Sequence, residues 1–209
     1  MSTNIEDMRP YVMPWAQGAS EPTVVQALLD SSIEFCSKTH LWRDWLQPSD
    51  VTIGEDIVPL VIPADAAVLR MEEMWVNRIE IDPLTEEGLK FTRYQPGDKG
   101  APRFYTSDAP GQVRLIPIPD LAYPQGMRAR VTLIPSRTAT TIPDFLFVHY
   151  AREVADGALA RLHSSDEAYA TPAKAQMYAA KFDSAINRGT TQAAKSNMKS
   201  RRRARAHFF

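Results

Sequence analysis

Cysteine is almost missing: Cys36 is the only one in 209 residues. That excludes an intrachain disulfide and a thiolate metal cluster, and it fits assembly in a reducing cytoplasm. Histidine is scarce too. His40, His149, His163 and His207 lie far apart with no H-x-x-x-H pair, so none has metal-ligand spacing around it. No stretch approaches the roughly 18 apolar residues that a membrane span needs. Glu6, Asp7 and Arg9 break up the N-terminal region where a signal peptide would need an apolar run. The expectation is a soluble chain made in the cytoplasm.

Catalytic patterns are missing as well. Gly97-Asp98-Lys99-Gly100 lacks the spacing of a phosphate-cradling loop and sits between strand-like runs, so it reads as a turn. There is no G-x-S-x-G elbow. The adjacent pairs Glu72-Glu73 and Glu86-Glu87 point to different sides of a strand or turn, a poor geometry for paired acid/base work. Cys36 falls on the apolar stripe of a helix and reads as a small core residue. No enzyme activity, cofactor or metal is expected.

Net charge is close to nil at −1, but its distribution is uneven. Residues 1–187 hold 17 basic and 25 acidic side chains, whereas Arg188 onward holds seven basic and no acidic ones. An acidic body thus carries a basic end, the asymmetry of a tail that meets something anionic.

Apolar residues, at 44%, suffice for a real core. Residues 1–19 read as an irregular N-terminal arm, interrupted by Pro10 and Pro14 and apolar enough to pack on the body or a neighbour. A first helix is expected over 20–46. Ser20 is its N-cap, Glu21 and Pro22 suit its first turn, and Val25, Leu28, Leu29, Ser32 and Cys36 form its stripe. The periodicity runs to Thr39, and a Trp-bearing end, His40–Leu46, follows. Trp42 and Trp45 read as core at the junction with the sheet, with a subunit contact as the other use of such aromatics. Residues 51–136 read as a Pro-rich antiparallel β insertion, in which Arg128–Leu133 alternates as a half-buried strand does. A second helix is expected over 143–163, with Phe145, Val148, Arg152, Ala155 and Leu159 on one face. Its Gly157, Ala158 and Ala160 would admit a close helix neighbour. A third is expected over 171–188, with Ala175, Tyr178, Phe182 and Ile186 as its stripe. Residues 189–209 form a basic C-terminal arm without helical periodicity. The predicted fold is α+β: a small bundle of about three helices, a Pro-rich antiparallel β insertion and extended N- and C-terminal arms.

The order of these features resembles a known family. Ala27–Cys36 runs into Trp42-Arg43-Asp44-Trp45, and a β insertion follows with Pro102-Arg103-Phe104-Tyr105 and Val113–Asp120. Leu133-Ile134-Pro135-Ser136 then leads through Thr141-Ile142-Pro143-Asp144 into Tyr150–Leu162, and Tyr178–Phe182 precedes the basic end. Over residues 20–190 this is similar to the head-to-tail adaptors of short-tailed bacteriophages, of the tail tubular protein A type. The resemblance rests on element order, because that family has no catalytic signature to match. It implies a ring of about twelve copies, closed by head-to-tail contacts between subunits. The ring would lie under the portal, with a tail nozzle or tube protein below and double-stranded DNA passing through. It also implies a virion component between head and tail, made in the host cytoplasm and touching no membrane.

An acidic body suits a DNA conduit, since a basic wall would hold the passing duplex. The C-terminal arm is read as the portal-binding element. Arg201, Arg202, Arg203 and Arg205 would pair with portal carboxylates, and Phe208 and Phe209 would fill an apolar recess. The alternatives are a nucleic-acid-binding protein using Lys195–Arg205, which has six basic residues in eleven, or a head-completion protein of a long-tailed phage.

Overall fold

The computed structural model describes residues 2–195 apart from Phe91, Pro96 and Asp108. In chain order the elements begin with β1 (Ser2–Asn4), a 3-10 turn (Ile5–Met8), α1 (Arg9–Val12) and α2 (Glu21–Thr39). Then come β2 (Arg43–Trp45), β3 (Ser49–Val51), β4 (Ile57–Pro59), β5 (Ala66–Val76), β6 (Ile79–Pro83) and α3 (Glu86–Leu89). The chain continues with β7 (Lys99–Gly100), β8 (Phe104–Thr106), β9 (Gln112–Ile116), β10 (Ile118–Pro119), β11 (Tyr123–Pro135) and β12 (Thr141–Pro143). It ends in α4 (Asp144–His163) and α5 (Pro172–Lys195). These elements form two compact units, residues 2–6 with 42–144 and residues 7–41 with 145–195.

The first unit is dominated by an eight-stranded sheet in the order β2-β11-β5-β6-β8-β9-β4, with β3 also paired to β11. Only the β6–β8 pair in that sheet is parallel. Strands β11 and β5 are its spine and pair from Met127↔Val76 to Pro135↔Ala66. Alternation places Met127, Ala129, Val131 and Leu133 in the buried face, where Val76, Met74, Ile81 and Leu115 meet them. Asp65, at φ 61° just before β5, accepts from the Thr141 amide at 3.1 Å and its hydroxyl at 2.7 Å. Those bonds, led by the Thr141 hydroxyl, hold its carboxyl below the ordinary range against the opposing effect of burial.

This architecture corrects the expected one. A small bundle of about three helices with a β insertion is not what the chain forms: the sheet is the larger element, and five helices accompany it among the described residues. Two features concealed the sheet. Prolines in this region punctuate the apolar runs and make each look short, yet Pro59, Pro83, Pro119, Pro135 and Pro143 are each the last residue of a strand. A missing N–H costs no ladder bond where the ladder ends. Glu72-Glu73, a polar interruption among β-formers, lies inside β5. Register shifts at Arg130/Val131 and Thr132/Leu133 accommodate the pair, so Glu73 takes Arg130 and Glu72 takes the Thr132 hydroxyl.

The second unit is helical. Ser20 caps α2 by accepting from the Thr23 amide at 3.4 Å, as the sequence predicts. The helix stops at Thr39 and does not run on to Leu46, because His40 takes a left-handed conformation at φ 52° and closes the C-terminus. Arg43–Trp45 passes instead into the sheet as β2. Helix α4 starts at Asp144 directly after Pro143, and its buried residues include Leu146, Ala151, Val154, Ala158 and Leu162. Val148, placed on the buried face by periodicity, is 66% exposed. Ala175, Tyr178, Phe182 and Ile186 of α5 are all buried as expected. Gly157 lets α4 and α5 close: a Cβ there would lie 2.8 Å from the Phe182 ring. Phe35 of α2 packs at a tilt against both Tyr150 and Phe182, at centroid distances of 4.9 and 6.2 Å. Cys36 is fully buried, and burial pushes its thiol up to about 12. The predicted N-terminal arm is ordered into short elements, and Met8, Val12 and Ala16 are buried.

Candidate interaction surfaces

The residues singled out for portal binding, Arg201, Arg202, Arg203, Arg205, Phe208 and Phe209, lie outside the described residues. The helix that precedes them is longer than periodicity suggested. It continues through Gly189, where the arm was expected to begin, as far as Lys195. Gly189 explains the continuation, since its missing Cβ leaves room for Thr39, Leu41 and Phe35 to pack on α5. The Thr190 hydroxyl also bonds the Ile186 carbonyl at 2.9 Å.

On the outward face of the sheet the first unit has a cleft of about 780 Å³. Strands β2, β11 and β5, the β5–β6 turn and the start of β11 build it. Trp45, Trp75, Arg78, Gln125 and Arg128 are among its lining residues. Cross-strand pairing sets its chemistry. On β11, Arg130 faces Glu73 and forms an ion pair with it at 3.0 Å. One pair further along the same face, Arg128 meets Trp75 where a second acid would have served. Arg128 instead lies over Trp45, 5.7 Å from its ring centroid. Neither Arg128 nor Arg78 has an acidic partner among the described residues. The Trp75 indole N–H is buried and has no hydrogen-bond acceptor there either. Trp45 itself is 44% exposed, so the core reading holds for the half-buried Trp42, which packs on the sheet core, and fails for Trp45.

Backbone conformation at this cleft is unusual. The β5–β6 hairpin turns on two residues, Asn77 at φ 48° and Arg78 at φ 65°. Two positive φ values make a type I′ turn, whose second position favours glycine. An arginine there accepts left-handed strain of about 1–2 kcal/mol. Gln125, at φ 47°, is a third such residue lining the cleft, and the Asp50 carboxylate holds its amide at 2.7 Å. The sequence reading missed Arg78. Its signal was available, as Asn-Arg stands between two β runs where Asn-Gly is the usual hairpin pair.

The second unit has a smaller groove of about 550 Å³, with Tyr11, Trp15, Asp156, Met177 and Lys181 among its lining. Burial raises the Asp156 carboxyl and neighbouring Glu153 adds to this, while Lys181 opposes both. Elsewhere in the unit, Glu34 of α2 accepts from Lys38 at 2.6 Å and from Arg161 of α4. Burial works to raise Glu34, but the hydrogen bonds and charges of Lys38 and Arg161 outweigh it and hold the carboxyl below its ordinary value. His163 is buried and stacks on Tyr178 at 5.9 Å with the rings 7° from parallel.

Among the described residues no group of three or more His, Cys, Asp or Glu side chains is placed to hold a metal ion. No helix among them is long and apolar enough to cross a membrane. A sequence model of one family, described as SU10 adaptor protein, matches residues 3–206. No curated protein matches the chain.

Proposed function

From the premise that this chain belongs to the SU10 adaptor protein family, a family of phage adaptors, we propose that it is the non-enzymatic subunit of a ring joining portal to tail. The family match over nearly the whole chain carries this reading. Further support comes from the charge pattern. Seven basic and no acidic residues follow position 187, against 17 basic and 25 acidic before it. An acidic wall does not retain a passing duplex, while a basic segment suits a carboxylate-bearing partner. Copies repeated about a closed axis, about twelve by the resemblance, form the conduit, and a tail nozzle or tube protein occupies the opposite end.

The C-terminal segment supplies the portal contact in this reading. Arg201, Arg202, Arg203 and Arg205 pair with carboxylates of the portal, and Phe208 and Phe209 seat in an apolar recess. Aromatic anchors of that kind contribute roughly 2 kcal/mol or more each. Two variants of the full chain test the assignment, with binding to the portal protein of the same phage and to duplex DNA as readouts. Removing Phe208 and Phe209 should weaken portal binding at least tenfold and leave DNA affinity unchanged. Replacing the four arginines should weaken portal binding in a salt-dependent way. Portal binding untouched by loss of the phenylalanines, with DNA retention abolished by loss of charge, would assign the segment to nucleic acid.

A further inference from the structure

We propose that the Trp45–Trp75–Arg128–Arg78 cleft on the outer face of the sheet is a docking site for an acidic, extended polypeptide segment of a partner protein. The inference stands apart from the portal reading, which concerns the C-terminal segment.

The cleft's unmatched groups specify the occupant. Arg128 and Arg78 are exposed guanidinium groups without an acidic partner among the described residues, and each presents a planar fork that fits one carboxylate. The Trp75 indole N–H is a buried donor without an acceptor among the described residues. A backbone carbonyl is the acceptor an extended peptide offers at every residue. Trp45, although Arg128 lies over its ring, stays 44% exposed and offers aromatic surface against which an apolar side chain or proline can lie. The neighbouring ladder shows what the face does when no guest is intended, because there Arg130 is closed off by Glu73. At the next pair an aromatic replaces the acid, and the cation stays available.

Charge in the surroundings argues for a peptide carrying one or two carboxylates over a polyphosphate. Residues 1–6 and 42–144 hold 16 acidic and 11 basic side chains. A nucleic-acid backbone would bring further phosphates against that net negative surface, whereas a short acidic segment needs only the two local cations. Arg78 supports the same view from its backbone. Its φ of 65° is a position where glycine would relieve strain, so an arginine there serves something other than the turn.

A random dodecapeptide display library, cleared first on the full-length R78G/R128Q double variant and then selected on the wild-type chain, tests the proposal. Surviving peptides should carry aspartate or glutamate beside an apolar residue or proline. Synthetic versions should bind R128Q at least tenfold more weakly than wild type. They should also shift the Trp75 indole N–H resonance, which is assigned by its loss in W75F. R78G should bind them more weakly while melting at a higher temperature than wild type, which separates lost recognition from lost folding. The proposal is overturned by an absence of survivors, by survivors that are basic or uncharged, or by affinity unaltered in R128Q. It is overturned equally if a decathymidylate oligonucleotide shifts the Trp75 resonance at lower concentration than the best peptide, which would make the cleft a nucleic-acid site.

Discussion

Glu34 holds two cations from two helices, Lys38 one turn along α2 and Arg161 from α4. Its carboxyl lies below the ordinary value in the folded chain. A depressed carboxyl contributes stability above its unfolded value of about 4.5 and loses that contribution as pH falls through the lower, folded value. Partly exposed pairs of this kind are worth about 0.2–1 kcal/mol each. E34Q should therefore melt roughly 2–4 °C below wild type at pH 7. The gap should narrow as the pH is taken down from 5 toward 3. Melting curves of both proteins across that range check the sign, and a gap that widens on acidification would show that Glu34 is held by something other than these cations.

At the scale of elements, the meeting of α4 and α5 turns on Gly157. Alanine is the better helix former by roughly 1 kcal/mol, so propensity alone predicts that G157A stabilises. The ring of Phe182 decides otherwise. It is only 5% exposed, and a new Cβ would sit 2.8–2.9 Å from three of its atoms. Overpacking of a filled core costs about 1–3 kcal/mol. G157A should lower the melting temperature, and F182L in the same chain should recover part of the loss by removing ring edge; a stabilised G157A would show that the helices part without cost. The sequence disclosed this contact in outline, since Gly157 beside Ala158 and the stripe through Phe182 were both visible as patterns. Ser20, Pro22, Pro143 and Asp144 likewise marked helix starts, because capping chemistry is local. The sheet was less legible. Pairing of β11 with β5 joins residues about 60 positions apart, and nothing local distinguishes a proline that ends a strand from one that prevents it. His40 is a similar case: a left-handed histidine closes α2 where periodicity followed by tryptophans suggested further helix. The cleft was half visible. Trp45 and the alternation around Arg128 could be read, but Trp75 opposite Arg128 is a fact of register.

For the whole molecule, membership in the SU10 adaptor protein family makes the chain a phage structural adaptor, and the proposed function adds that its working state is a ring docked on the portal. The assembly claim is tested most directly by sedimentation of the full-length chain alone and mixed with the purified portal protein of the same phage. The account predicts that mixing produces a single fast species containing both proteins, in the proportion of one closed adaptor ring per portal. Unchanged sedimentation of both components, under conditions in which the phage's other parts assemble, would contradict it.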